Sequence, residues 1–368
     1  MTACTRAFAL AALGLGLFAA PAATHAKDTF VYVHDSGDGN NRIYGFALGS
    51  AGELTPLDGS PFATGLTETG CGGFCQTLSY SKKRRALVAS GGDGMQALLI
   101  QDDGTLDPAD PFLPNGLTGA FLGNETVDLG KRTFVYANDT DGELVHTFSL
   151  DENGALAAVL GGQYPTGGGS PDGMAVAKRK VLLSINESGD SIASYKIGKD
   201  GTLTVAPTSP LPLVTGLSWN LHLGPTSRIV YTGEEAAPHL FGFAIDFKTA
   251  DLTPLDGSPF PIDSENGVSF APGRSSPGIT MPGELPADVS AQAVKPDKHG
   301  VLTALGSPQP LTGQAGMQAH GRTRNGKIFL VADNVMLRSY TVAKDGTLTL
   351  LDGAGAAGDV NDVVVVER

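Results

Sequence analysis

The chain has little cysteine, little tryptophan and no excess of basic charge. Its 368 residues include three cysteines, one tryptophan, and 25 lysines and arginines against 38 aspartates and glutamates, for a formal net charge of −13. Proteins that bind nucleic acid or anionic membrane surfaces usually present a basic surface. We therefore expect neither partner for this chain.

Long apolar runs are also missing, apart from one near the N-terminus. Ala7 to Ala20 is apolar, follows Arg6 and precedes the small-residue site Thr24-His25-Ala26. Such a run is short for a membrane span and is typical of a cleaved secretory signal peptide. We predict a signal peptide at residues 1–26, a single domain at 27–368, and a periplasmic or extracellular location.

Two cysteines remain beyond the predicted signal peptide, Cys71 and Cys75, separated by Gly72-Gly73-Phe74. In an oxidising compartment two neighbouring cysteines most often form a disulfide, and the two glycines would let so small a loop close. The alternative is a metal-binding pair, for which no further cysteine or close histidine completes a tetrahedral set.

No stretch after the signal peptide keeps a helical period, whereas a repeat of about fifty residues runs through the chain. The nonapeptide LTPLDGSPF at Leu54 to Phe62 returns unchanged at Leu252 to Phe260. Weaker copies of the form Gly-x-Leu lie between and after them, so that the repeated leucine stands at Leu54, Leu106, Leu156, Leu203, Leu252, Leu302 and Leu348. Seven units of this length, each with several short β-rich runs, predict an all-β, seven-bladed β-propeller.

The two ends of the repeat array complement each other. The array begins in mid-unit with the strand-like run Phe30 to Val33 and ends with Asp362 to Glu367, a strand without a partner downstream. Pairing these runs in one blade would close the ring and hide both sheet edges. The sixth unit is irregular, because prolines between Phe270 and Asp288 cannot donate to a strand ladder. We expect a broken second strand there, with a loop that is either an eroded blade or a lid over one face.

The blade pattern resembles a known family. Tyr32-Val33 and Asp35, an alternating strand, and then Gly52 to Phe62 are similar to the lactonase-type seven-bladed propellers, which include bacterial 6-phosphogluconolactonases and fungal carboxy-muconate cyclases. The resemblance covers nearly the whole mature chain. It implies a site in the central channel, at the start of each innermost strand.

The resemblance also argues against one activity. Phosphogluconolactonase-like members carry an Arg-His pair on one innermost strand and Asn-Glu on the next strand. The matching positions here are Trp219, Asn220 and Glu235, so only the glutamate is kept. A phosphorylated substrate needs a cationic clamp, most naturally arginine. We therefore do not expect 6-phosphogluconolactonase activity.

The same register in the other units predicts a polar ring at the channel mouth. Its members are Gln76, Glu125, Asp172, Asn220, Asn266, Gln318 and Asn361. Converging carboxylates and amides could bind a divalent cation such as Ca²⁺, with Glu125, Asp172 and Asn220 as ligands, and the ion could polarise a lactone carbonyl. Solvated residues in a wet channel are the alternative, and no other cofactor is indicated.

Three further residues are candidates. His320 is the best lone general base, since imidazole titrates near neutral pH, although it could be a polar surface residue. His222 alternates with leucines, which suits a strand histidine better than a base paired with Glu235. Trp219 could stack on a sugar ring or plug the channel.

Two classes of function follow. The first is a secreted or periplasmic propeller, mostly monomeric, that serves as a scaffold for a ligand or protein partner. The second is a hydrolase for a small sugar-acid or organic-acid lactone, with Glu235, Glu125, Asp172 and His320 as catalytic candidates and Trp219, Asn220, Gln76, Asn266, Gln318 and Asn361 as substrate contacts.

Overall fold

The computed structural model describes residues 29–37, 41–67, 75–112, 120–213, 220–234, 239–262, 264, 267–273, 276–281, 290–311, 319–333, 335–356 and 360–368. The predicted signal peptide lies outside these ranges. All regular structure in the described part of the chain is β-strand, arranged as seven sheets. Within the same ranges, no helix is long and apolar enough to cross a membrane.

The strands follow one another blade by blade. Blade 1 contains β1 (Thr29–Asp35), β2 (Arg42–Leu48), β3 (Leu54–Pro56) and β4 (Phe62–Ala63). Blade 2 contains β5 (Leu78–Ser81), β6 (Ala86–Gly91), β7 (Gly94–Ile100) and β8 (Leu106–Pro108). Blade 3 contains β9 (Phe121–Leu129), β10 (Arg132–Asp139), β11 (Leu144–Leu150) and β12 (Leu156–Pro165). Blade 4 contains β13 (Pro171–Ala177), β14 (Val181–Asn186), β15 (Ser191–Ile197), β16 (Leu203–Val205) and β17 (Leu211–Pro212).

The remaining blades are built in the same way. Blade 5 contains β18 (His222–Leu223), β19 (Ile229–Gly233), β20 (Leu240–Ile245) and β21 (Leu252–Pro254). Blade 6 contains β22 (Val268–Ser269), β23 (Gly278–Thr280), β24 (Ser290–Pro296) and β25 (Leu302–Pro310). Blade 7 contains β26 (Ala319–Arg322), β27 (Ile328–Ala332), β28 (Met336–Val342) and β29 (Leu348–Gly355), and the last strand is β30 (Val360–Glu367).

The predicted ring closure is confirmed. β30 is the innermost strand of blade 1 and pairs antiparallel with β1, from Thr29 opposite Glu367 to His34 opposite Asp362. The seven-bladed all-β prediction is confirmed as well. Each repeated leucine of the sequence is the first residue of an outermost strand, for example Leu54 in β3 and Leu252 in β21. In blade 6 the second strand has only three residues, Gly278–Thr280, as the prolines predicted.

The core is divided among the seams between blades. Seven clusters of buried apolar side chains each join two neighbouring blades. Within β1, Val31 and Val33 face blade 7, whereas Phe30 and Tyr32 face blade 2. Burial on both faces explains why Phe30 to Val33 are apolar or aromatic at every position rather than at alternate ones.

The turn that contains the Gly-x-Leu glycine, which we call the corner, recurs from blade to blade and connects neighbouring blades. The Gly-x-Leu glycines adopt left-handed backbone torsions, such as φ 89° at Gly104 and φ 88° at Gly201. Tyrosine hydroxyls of the preceding blade donate to their carbonyls, from Tyr32 to Gly104 at 2.7 Å and from Tyr136 to Gly201 at 2.9 Å. A side chain at Gly104 would place its Cβ 2.3 Å from the Phe30 ring, so both the torsion and the packing require glycine.

The seam between blades 1 and 2 also holds a buried histidine. His34 has no exposed surface; its Nδ1 lies 2.7 Å from Thr77 Oγ1, and its Nε2 lies 3.0 Å from Asn41 Oδ1. Burial lowers the pKa of His34 to about 4, so the imidazole is neutral at physiological pH. The bond to Thr77 crosses the seam, whereas the bond to Asn41 stays within blade 1.

Candidate functional site

The central channel contains a cavity of about 320 Å³. Its walls come from the innermost strands and adjoining residues of six blades, and its polar side chains include Glu125, His222, Ser269, His320 and Arg322. Apolar residues such as Val363 and Val365 of β30 fill the space between them. A concave site that combines polar and apolar side chains is typical of small-molecule binding sites.

Two histidines meet in this cavity. The ring centroids of His222 and His320 are 4.9 Å apart, with the planes tilted by 44°. Burial and the neighbouring His222 hold the pKa of His320 well below its usual value, so His320 is neutral at pH 7. Its Nδ1 is buried and makes no hydrogen bond with any described residue. A neutral imidazole can act as a general base.

His222 is fixed from behind by the backbone of blade 6. Gly267 has φ 79°, and a Cβ on it would lie 2.0 Å from His222 Cδ2. Only glycine leaves room for the imidazole at this point. His222 therefore has a defined place on the cavity wall.

A carboxyl group faces the histidines from blade 3. Glu125 lies in the middle of β9 and is half-buried. Burial, and then the charge of Asp362, raise the pKa of Glu125 to about 8. Glu125 is therefore protonated at neutral pH and can donate a proton.

Asp362 is the second member of this acidic pair. Its carboxylate accepts hydrogen bonds from the backbone amides of Leu78, at 3.1 Å, and Val363, at 2.8 Å. Burial raises the pKa of Asp362 to about 7, despite these two bonds. Neighbouring carboxyls resist ionising together, which keeps a proton on the pair.

Gln76 crosses the channel. Its Nε2 donates to Leu221 O in blade 5 at 3.3 Å, and its Oε1 accepts from Met174 N in blade 4 at 2.8 Å. Since Gln76 comes just before β5 in blade 2, and blades 2 and 5 are not neighbours in the ring, the side chain must span the axis. Its amide is occupied by main-chain groups.

Asp172, Asn220 and Asn361 do not line the cavity that Glu125 and His320 share. Burial, and then Glu187, raise the pKa of Asp172 to about 8, and its Oδ1 has no hydrogen-bond partner among the described residues. Asn361 donates to Ser36 Oγ, which ties β30 to the end of β1. The predicted ring is thus divided: Glu125 lies in the cavity, beside the separately predicted His320, and these three residues lie outside it.

The sequence also predicts a Ca²⁺ site with Glu125, Asp172 and Asn220 as ligands. Among the residues that the structure describes, no group of three or more histidine, cysteine, aspartate and glutamate side chains is arranged to hold a metal ion. Of the three proposed ligands, Glu125 lies on the cavity wall, whereas Asp172 and Asn220 do not. A site that also uses amide or main-chain oxygens stays a prediction.

Several predicted residues lie outside the described ranges, namely Trp219, Glu235, Asn266, Gln318 and Cys71. Cys75 is disulfide-bonded and buried. Its predicted partner, Cys71, is among the residues just named, so the pairing stays a prediction.

Solved structures share this architecture. A proposed 6-phosphogluconolactonase from Bacteroides fragilis aligns with a TM-score of 0.72 and 17% identity, over 95% of this chain and 100% of its own. A second proposed 6-phosphogluconolactonase, from Bacteroides uniformis, gives 0.72 and 14%, over 92% and 100%. The periplasmic gluconolactonase of Pseudomonas aeruginosa gives 0.66 and 15%, over 92% and 99%.

The chain has the lactonase-type propeller fold. The fold that the sequence resemblance implied is thereby confirmed. No protein-family model matches the chain, and no curated protein matches it in sequence. At these identities the lactonase-type propellers share the fold with this chain, and the reaction must be argued from its own cavity.

The sequence did not single out two of the groups near the cavity. The sequence indicates Asp362 only as part of the closing strand, although the blade register places its neighbour Asn361 in the ring. Arg322 lines the cavity and is 8% exposed. Its position at the end of β26 gave the only signal, because an arginine at the end of a short innermost strand must lie near the channel.

Proposed function

We propose that this lactonase-type propeller binds a small organic-acid or sugar-acid lactone in the channel cavity and hydrolyses its ester bond. One observation carries the proposal: a single cavity is lined by a neutral imidazole and by a carboxyl that is protonated at neutral pH. These are the base and the acid that ester hydrolysis needs, held in opposite protonation states.

The reaction uses the two groups in turn. His320 takes a proton from a bound water as the water oxygen forms a bond to the lactone carbonyl carbon. The tetrahedral intermediate then collapses with cleavage of the bond to the ring oxygen, and Glu125 gives its proton to that oxygen. The imidazolium proton returns to the Glu125 carboxylate, and the product is the open hydroxy acid.

The activity should depend on pH through Glu125. The acid form exists below its pKa of about 8, so turnover should fall as the pH rises through that value. Proton release is measured on the purified mature protein with a panel of lactones, against an enzyme-free blank. The panel includes a phosphorylated lactone, because the guanidinium of Arg322 also lines the cavity.

Glu125→Gln keeps the shape of the side chain and removes its proton. We expect a loss of about 10²-fold or more in kcat/KM and loss of the alkaline limb near pH 8. Glu152→Gln is the matched control, since Glu152 is exposed on blade 3 and should leave turnover unchanged. Full activity in folded Glu125→Gln, or no turnover of any lactone by the wild type, would count against the proposal.

A second candidate is a propeller that binds a lactone or sugar acid without turning it over. The observation that favours it is Gln76, whose side chain spans the channel with both amide ends occupied and so restricts access along the axis. Calorimetric titration with the same panel separates the two candidates. Saturable binding without proton release supports the scaffold, whereas turnover supports the hydrolase.

We also propose a periplasmic or extracellular location. The sequence of residues 1–26 supports it, and the similar Pseudomonas structure is described as periplasmic. Intact-mass measurement of the protein recovered outside the cytoplasm should show a chain that begins at Lys27. A full-length chain confined to the cytoplasm would contradict the proposal.

A further inference from the structure

Arg322 is a buried cation without a carboxylate partner in the described part of the chain. It is 8% exposed; its Nη1 donates to Ser269 O at 3.2 Å and to Pro277 O, and its Nη2 donates to Gly326 O at 2.9 Å. The Nε–H has no hydrogen-bond partner among the described residues. Burial lowers the pKa of Arg322 to about 10, which leaves the group charged at neutral pH.

A second cavity, of about 270 Å³, lies against Arg322. Tyr80, Lys82, Arg324 and Glu367 also line it. Lys82 follows the innermost strand β5, whereas Gln76 precedes it, so this cavity is at the opposite end of the channel from Gln76. We call it the exit cavity.

The exit cavity has an excess of positive charge. Its lining brings three cations, Arg322, Lys82 and Arg324, against one carboxylate, Glu367. Glu367 Oε1 accepts a hydrogen bond from the Arg324 backbone amide at 2.5 Å. No ion pair joins Lys82 or Arg324 to a described residue, although the chain as a whole carries a net charge of −13.

Nearby acids are engaged elsewhere. Asp128 lies on β9 of the neighbouring blade 3 and does not line the cavity. Its carboxylate accepts hydrogen bonds from Ser81 Oγ at 2.8 Å and from the Lys83 backbone amide at 3.1 Å. Tyr80, by contrast, lines the cavity, and burial raises the pKa of its hydroxyl, so it remains a hydrogen-bond donor. A buried cation is costly unless an anion accompanies it.

We propose that the exit cavity binds a small oxyanion, a phosphate or a short carboxylate, between Arg322 at its base and Lys82 and Arg324 at its mouth. Arg322 and Tyr80 line the cavity and can donate hydrogen bonds, and the two exposed cations attract the anion from solution. The exit cavity shares Arg322 with the channel cavity, but it is not lined by Glu125 or His320, the acid and base of the proposed hydrolysis. Its test needs no lactone.

The test is calorimetric titration of the full mature chain with sodium phosphate, and in a second series with sodium succinate, at constant ionic strength. Lys82→Gln/Arg324→Gln removes both mouth cations. Because these side chains are exposed, the variant should fold, whereas replacing buried Arg322 risks unfolding. We expect saturable binding by the wild type and at least about 10-fold weaker binding by the double variant.

Arg179→Gln/Lys199→Gln is the matched control, because it removes one exposed arginine and one exposed lysine from blade 4. It should bind the anion as the wild type does. Preference for phosphate or for succinate tells which oxyanion the cavity accepts. Failure of both anions to bind, equal binding by Lys82→Gln/Arg324→Gln, or equal weakening in the control would overturn the proposal.

Discussion

His34 is buried and His320 is half-buried, and both are neutral at pH 7, yet their surroundings differ. In the seam between blades 1 and 2, each ring nitrogen of His34 has a partner, Thr77 or Asn41. In the channel, His320 meets another imidazole, His222, and its Nδ1 bonds no described residue. The seam uses its polar groups to hold two blades together. In the channel, His320 Nδ1 has no such role among the described residues.

The largest predicted effect is a difference between His320 and His34 in which property a substitution changes. His320→Asn should lower kcat/KM for the lactone by about 10²- to 10⁴-fold, because it removes the proposed base. It should leave the free energy of unfolding nearly unchanged, since the lost Nδ1 has no hydrogen-bond partner among the described residues. His34→Asn should instead lower the free energy of unfolding by about 1–3 kcal/mol, because buried partners lose their bonds.

Proton release and urea unfolding, measured on both variants, check this comparison. Activity is expressed per folded molecule, so that instability alone does not lower it. His299→Asn, at an exposed position on blade 6, serves as the control for both readings. Equal losses of activity in folded His34→Asn and His320→Asn would show that the seam and the channel are not distinct in this way.

A smaller effect is expected within the repeated corner. Gly104→Ala should lower the free energy of unfolding by about 2–4 kcal/mol, since it combines left-handed torsion strain with a clash against Phe30. Gly161→Ala isolates the strain, because Gly161 has φ 72° but a Cβ there meets no atom within 4 Å. It should cost about 1 kcal/mol. Equal decreases in the free energy of unfolding for Gly104→Ala and Gly161→Ala, measured in urea, would show that the packing against Phe30 contributes nothing.

The smallest effect concerns the one corner without glycine. Ala250 occupies that place in blade 5, with φ 69° and its side chain fully buried. Ala250→Gly relieves about 1–2 kcal/mol of torsion strain, but it adds chain entropy to the unfolded state and loses a buried methyl. We expect a net change below about 1 kcal/mol. A loss of 2 kcal/mol or more by urea unfolding would mean that the Ala250 torsion is not strained.

The fold could be predicted because it repeats. Each blade needs the same corner, so Gly104 and Leu106 recur with the same spacing as Gly201 and Leu203. Repetition reveals residues whose role is common to every blade. It gave the number of blades, the outermost strands and the closing pair of β1 and β30.

The channel could be predicted only in part, because each blade contributes a different side chain there. A fixed register placed Asn361 in the ring, but the β30 pairing shifts between His34 and Asp35, and Asn361 instead contacts Ser36 while Asp362 acts on Glu125. A similar shift lies between Pro171 and Met174, beside Asp172. Since one extra residue turns the following side chains to the other face, bulges that leave no clear mark in the sequence limit such a prediction.

The pairing of β1 with β30 also sets the moment at which the protein can first bind anything. Val363 and Val365 wall the channel cavity, and Val365 and Glu367 wall the exit cavity, so the final strand completes both. A chain that lacks the final strand lacks part of the wall of both cavities. We therefore expect the protein to bind a ligand in either cavity only after β30 has paired with β1.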